Sequence, residues 1–293
     1  MAIVSFQEMM ADASKRHYAI PMFDVSNLTM MRAAVEVAQE MNSPVMLAAI
    51  PVDIEGESLD YWVNSALFAA KQVKVPVCLH LDHSSSLELC VRCAERGFQS
   101  VMIDASAEEF EVNIRRSREV VDAVSAFGVA VEAELGHVAS GITGAENGMS
   151  ENGHSEDCHT IFTDPKSVVE FVEKSRVDAL AVSIGTTHGV YVSAPELNIP
   201  LLKELHQVSE VPLVLHGGSG TPEDQLQAAI KEGIAKINIY SELTSAWNSA
   251  MKEFLNSREQ MTCWFSVATK NSDRAMRNVM REKIQIFNSA NRA

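Results

Sequence analysis

VPVCLHLDHSSSLELCVRCAERGFQSVMIDAS, residues 75–106, holds a complete strand–helix–strand unit. Its opening run, Val75–Leu81, is dominated by valine and leucine and is too short for an independent helix, so it reads as a strand. Leu87–Arg96 repeats apolar residues every three or four positions, the pattern of a helix with one buried face. Gly97 stands where that helix should end in a left-handed cap, and Ser100–Asp104 follows as the next strand. Cys90 and Cys93 form a CxxC inside this unit, but no second pair accompanies them, and they read as positions on one helix face.

The same alternation runs along the chain. Strand candidates are Tyr18–Phe23, Pro44–Ala49, Val75–Leu81, Ser100–Asp104, Val129–Glu134, Asp178–Ile184, Val211–Leu215 and Ala235–Ile239. Helical stretches lie between them at Met30–Met41, Leu87–Arg96, Phe110–Phe127, Pro165–Lys174, Pro195–Val208 and Glu223–Glu232, with Gly97, Gly128 and Gly233 at helix ends. Eight such units fit a closed (β/α)8 TIM barrel or an open doubly wound sheet. Polar groups follow strands 3 to 8, which suits a closed ring of strand ends better than one crevice, so we expect the barrel, as a single domain over residues 1–293. The length of 293 residues agrees, since such barrels need roughly 250.

Composition narrows the function classes. A formal charge of −15 argues against a phosphate-backbone groove and hence against nucleic acid as partner. Apolar runs stop short of the ~18 residues of a membrane span, and the N-terminus carries acids and a Lys–Arg pair where a signal peptide would be apolar. Five cysteines without dense spacing point to a reducing, cytoplasmic setting. The Gly-, Ser- and Asn-rich segment 140–159, after the fifth strand, has neither helical nor strand period and reads as a mobile lid or a disordered insertion.

His83, His188 and His216 each follow a strand candidate. Any one alone is more often a packing or surface residue, but in a closed barrel three strand ends share one rim, and three imidazoles with an open fourth position suit catalytic zinc. Asp82, beside His83, could shuttle a proton or orient an imidazole. His80 shares a strand face with Asp82 and is expected behind the ligands, whereas His137, His154 and His159 read as loop residues. Asp104 and Glu134 close two strands and are candidates for a second metal or a monovalent cation, or for structural acids at the barrel mouth. Gly217, Gly218 and Ser219 allow close backbone approach, and Asn238, Ile239, Tyr240 and Ser241 precede a helix N-terminus. Both segments follow the strands that carry phosphate sites in such barrels.

HLDH at 80–83, GFQSVMIDAS at 97–106, VEAELG at 131–136, IGTTHGVY at 184–191, VPLVLHGGSG at 211–220 and KINIYSEL at 236–243 resemble, in order and spacing, the class II zinc-dependent ketose-bisphosphate aldolases. The resemblance runs to EKIQIFNSANRA at the C-terminus and is nearest to the tagatose-bisphosphate aldolase branch. It implies that His83, His188 and His216 bind Zn2+, and that Asp82 acts as acid/base on the C4 hydroxyl. It implies that Gly189, Gly217 to Ser219 and Asn238 to Ser241 hold dihydroxyacetone phosphate, and that Glu146, in AENGMS, acts at C3. The reaction implied is reversible cleavage of a phosphorylated ketose, such as tagatose or fructose 1,6-bisphosphate or a ketose 1-phosphate, to dihydroxyacetone phosphate and an aldehyde. Homodimers or homotetramers, in some cases with a non-catalytic accessory protein, are the assemblies implied.

The chain departs from that family at ASGITGAENG (139–148), at LAAIPVDIEG (47–56), at Tyr240 and around Trp264–Ser266, where a family DPR motif is replaced. Three other functions remain to be distinguished: a Schiff-base aldolase using Lys236, a non-catalytic sugar-phosphate-binding barrel subunit, and a metallohydrolase.

Overall fold

Eight parallel strands close on themselves in chain order, each hydrogen-bonded to the next and β8 to β1. The computed structural model describes residues 2–56, 58–138, 161–189 and 195–293. The strands are β1 (Ile20–Asp24), β2 (Val45–Ala49), β3 (Val77–Ser84), β4 (Ser100–Ile103), β5 (Ala130–Leu135), β6 (Ala179–Val182), β7 (Leu213–Leu215) and β8 (Ile234–Ile239). The helices are α1 (Phe6–Arg16), α2 (Leu28–Met41), α3 (Ser58–Ala70), α4 (Leu87–Glu95), α5 (Phe110–Val124), α6 (Pro165–Ser175), α7 (Ile199–Val208), α8 (Glu223–Lys231), α9 (Ser241–Asn256), α10 (Phe265–Ala268) and α11 (Lys270–Ile286). This is the single-domain (β/α)8 barrel expected, and the segment 140–159 lies outside the described residues together with Glu146, His154 and His159.

The two faces of the strands do different work. One face joins the helices in a continuous apolar shell that includes Phe23, Leu47, Leu79, Val101, Val131, Leu180, Leu213 and Ile237. The barrel interior starts, near the strand N-termini, with Met22, Met46, Cys78, Ala130, Ala179 and Val214, packed against Phe6, Met9, Met10 and Ala13 of α1. Helix α1 therefore fills the end of the barrel remote from the histidines, held at its start by Ser5, whose hydroxyl accepts from the Glu8 amide.

Helix ends follow the expected chemistry. Asn27, Ser86, Asp164 and Asn198 cap α2, α4, α6 and α7 through side-chain oxygens, and Pro165 occupies the first turn of α6. Cys90 and Cys93 sit buried on α4, where loss of hydration pushes both thiols up to about 12. They are packing residues with free thiols. At the C-terminus, α11 lies against α9 and α2, with Arg277 and Arg281 reaching Glu36 and Glu40 of α2.

Candidate metal and phosphate site

The side chains that reach the interior towards the site come from even-numbered positions: Cys78 and His80 on β3, Glu132 and Glu134 on β5, Val214 on β7 and then His216 just beyond it, Lys236 and Asn238 on β8. His83 breaks this parity. The pairing of β3 with β4 slips between Leu81 and Ser84, and His83 adopts the left-handed region at φ 45°. This bulge re-aims an odd-numbered side chain into the barrel mouth beside Asp82. Consequently His83 lies 4.6 Å, centroid to centroid, from both His188 and His216.

The nitrogens of His83, His188 and His216 lie within 4.8 Å of one another. Tetrahedral zinc at about 2.0–2.1 Å from each ligand would hold nitrogens roughly 3.3 Å apart, so this trio fits such an ion with little movement. His83 Nε2 and His216 Nδ1 are 2.9 Å apart.

Each of these two rings is held by a carboxylate on its other nitrogen. His83 Nδ1 lies 3.0 Å from Asp104 Oδ2, while Asp104 Oδ1 accepts from the amide and hydroxyl of Ser106. Ser106 Oγ in turn lies 3.1 Å from His137 Nδ1, so His137 buttresses the rim. His216 Nε2 lies 2.9 Å from Glu132 Oε1, deep in the barrel. Glu132 also receives Lys236 Nζ on both oxygens at 2.9 Å, and both residues are fully buried.

Charge follows from these contacts. Burial opposes a charge on His83, yet Asp82 and Asp104 outweigh it and raise its pKa well above the ordinary 6.5. Burial and the positive His83 push His216 down to about 4. Glu132 is held at about 2 because Lys236 and His216 overcome its desolvation. Burial, reinforced by Asp104, pushes Glu134 up to about 7, and Glu134 Oε2 lies 3.5 Å from His216 Nδ1.

Asp82 is 2% exposed and accepts from Asn238 Nδ2 on both oxygens at 3.1 Å. His80, as its strand parity requires, lies on the same side, its Nε2 3.6 Å from Asp82 Oδ1 and its Nδ1 2.7 Å from Ser100 Oγ. Burial works against ionisation of Asp82, but His83 and His80 hold it well below the usual carboxylate range. Asp82 is thus a proton acceptor at neutral pH.

Beside the histidines opens a recess whose walls include Asp82, His83, His188 and Gly189 on one side and Gly217, Ser219, Asn238, Tyr240 and Ser241 on the other. Gly217 has φ +66°, and a Cβ there would sit 2.5 Å from the Thr187 carbonyl oxygen, so this loop crosses the sixth-strand loop with no room for a side chain. Gly218 packs against Ile237 and Ile239 of β8, and Ile239 belongs to the outer apolar shell, away from the recess. Ser219 Oγ accepts from the amides of Tyr240 and Glu242, so the hydroxyl ties this loop to the start of α9 and occupies two amides that the sequence leaves open.

Two residues of the site carried weaker sequence signals. Asp24, at the C-terminal end of β1, is 3% exposed and lines the recess. A terminal carboxylate in IPMFD, matching Asp82 and Asp104 at other strand ends, was the available sign. Glu132 is two residues before Glu134 on the same face of VEAELG, one barrel layer deeper. Lys236 points into that layer and pairs with Glu132, which gives it a charge-balancing place instead of a Schiff-base position in the recess.

Comparison with known proteins defines the class of this barrel as a carbon–carbon lyase of the aldolase type. More particularly, the chain belongs to the family described as class II fructose-bisphosphate aldolase, whose model matches residues 4–292. The YdjI aldolase of Escherichia coli K12 is similar at 35% identity and a TM-score of 0.84, with 98% of each chain covered. A putative fructose-1,6-bisphosphate aldolase from Coccidioides immitis matches at 27% identity and a TM-score of 0.86, over 97% of this chain and 96% of that one. The fructose-bisphosphate aldolase Fba of Campylobacter jejuni shares the fold at 21% identity and a TM-score of 0.80, over 100% and 97%.

Proposed function

We propose that this enzyme is a zinc-dependent aldolase that reversibly cleaves a ketose carrying a 1-phosphate, releasing dihydroxyacetone phosphate and an aldehyde. The observation that carries the reading is the convergence of His83, His188 and His216 beside the ionised Asp82 and the recess walled by Gly217 and Ser219. His83, His188 and His216 would hold the zinc ion, which when bound would supply a Lewis acid for the negative charge that develops on the ketose oxygens.

The chain's own groups do the rest. In the cleavage direction Asp82 accepts the C4 hydroxyl proton, and Asn238, donating to both its oxygens, keeps the carboxylate aimed at the substrate. Gly189, Gly217, Ser219 and Ser241 line the pocket for the phosphate, with Tyr240 narrowing its edge. Glu146, outside the described residues, is the group assigned to C3 by the family resemblance. Asp104, whose oxygens meet His83 and Ser106, acts here as an orienting carboxylate, and its closeness to Glu134 and His83 leaves the Asp104–Glu134 pair as the candidate site for a second cation.

The aldehyde half carries the chain's departures from the family pattern, so tagatose 1,6-bisphosphate, fructose 1,6-bisphosphate and acidic ketose 1-phosphates are the substrates to compare. A cytoplasmic setting is consistent with the free cysteines among the described residues, and the homodimer or homotetramer that the resemblance implies is consistent with the apolar surface at Trp264 and Phe265, which are 82% and 80% exposed next to each other. Among the described residues, no helix is long and apolar enough to cross a membrane.

The test is a panel of these phosphorylated ketoses assayed with metal-stripped and zinc-restored enzyme. Cleavage to dihydroxyacetone phosphate should vanish on chelation and return with zinc. Cleavage that survives complete metal removal would reject the zinc reading, and release of inorganic phosphate as the product would reject the lyase chemistry.

A further inference from the structure

Beneath the three histidines, residues from three strands form a buried line: Lys236 on β8, Glu132 on β5 and His216 following β7. Each joint in the line has one sense. An ammonium only donates, so the two 2.9 Å bonds from Lys236 Nζ place hydrogen on the lysine side of both Glu132 oxygens. A carboxylate so engaged only accepts. His216 Nε2, 2.9 Å from Oε1, must therefore be the N–H nitrogen. A neutral imidazole carries one N–H, so the lone pair is left on Nδ1, the nitrogen that faces His83 Nε2 at 2.9 Å.

We propose that Lys236 and Glu132 are positioning residues that fix His216 in its Nε2–H tautomer and so present Nδ1 to the metal. The proposal rests on the zinc reading above and extends it into the barrel interior. The two rings restrained in this way offer opposite nitrogens, since Asp104 holds His83 by Nδ1 and leaves Nε2 toward the same point. The assignment explains why a charged pair is kept where both side chains are fully buried, below the recess and out of reach of a substrate. Neither residue touches the reacting atoms.

Two measurements on the full-length protein decide it. Imidazole nitrogen NMR of the metal-free wild type should show His216 as the Nε2–H tautomer, and an Nδ1–H tautomer overturns the proposal whatever any variant does. Zinc affinity by chelator competition should fall 10–100-fold in Glu132→Gln, the range typical of lost orienting partners, because an amide can also donate to the ring and no longer enforces one tautomer. An unchanged zinc affinity in folded Glu132→Gln, verified by circular dichroism, also overturns it. Wild-type protein that does not bind zinc at all would instead sink the metal reading, a failure the tautomer measurement keeps separate.

Discussion

Replacing Lys236 with methionine keeps much of the side-chain volume and removes the ammonium bonded to both oxygens of Glu132. The loss can be sized in two ways. Glu132 is held at about 2 against an ordinary 4.5, a difference worth on the order of 3 kcal/mol at about 1.4 kcal/mol per pKa unit. Breaking a buried ion pair by removing one partner costs about 3–5 kcal/mol, because the other charge stays buried. His216 still donates to Glu132 Oε1 in the variant, which places the expectation near the lower end, about 3 kcal/mol. Urea unfolding of metal-free Lys236→Met against wild type at neutral pH measures this.

The pH dependence has a defined sign. A depressed carboxylate pKa stabilises the fold above its unfolded value of 4.5, and that stabilisation is lost as pH falls through about 2. The gap between wild type and Lys236→Met should therefore close in acid. The double variant Glu132→Gln with Lys236→Met removes both charges and should be more stable than Lys236→Met alone. A cost below about 1 kcal/mol for the single variant, or strictly additive costs in the double, would refute a strongly coupled pair.

Asp82→Asn should lower kcat for ketose cleavage by roughly 10²–10⁴ while leaving zinc content intact, and near-normal turnover would remove Asp82 from proton transfer. Gly217→Ala adds left-handed strain of about 1–2 kcal/mol to an overpacking cost of about 1–3 kcal/mol against the Thr187 carbonyl. A lowered urea midpoint and a raised KM are expected, and an unchanged KM would separate that loop from the phosphate. Zinc affinity of the metal-free enzyme should rise as pH is raised above the ordinary histidine range, since His83 is pushed well above 6.5 and must shed its proton to bind. Chelator competition across that rise in pH checks it, and a flat profile would contradict the assignment.

The strands were legible because each is a short apolar run ended by a polar residue, and observed bounds differ from the expected ones by a few residues at most. Helices with one apolar stripe, such as Leu87–Glu95 and Glu223–Lys231, were equally plain. Helix α1 was not among the expected helices, because whether Phe6, Met9 and Met10 plug a barrel depends on partners contributed by seven strands. The histidine trio could be proposed from strand-end position alone, but regular strand alternation by itself points the adjacent Asp82 and His83 to opposite faces. Only the slip in pairing between β3 and β4, a property of two strands together, brings both to one side. The orienting roles of Asp104 and Glu132 escaped for the same reason, since each is defined by a ring on a distant strand.

In a regular strand, adjacent residues face opposite ways, and two groups meant for one cavity must be two positions apart or come from different strands. The left-handed turn at His83 removes that restriction and sets Asp82, the proposed base, and His83, a proposed ligand of the ion, on consecutive α-carbons, about 3.8 Å apart. Their relative placement is then governed by covalent bonds. Any displacement of this end of β3 would carry the proposed proton acceptor and the proposed ligand together, so the alignment proposed for cleavage is held within a single peptide unit.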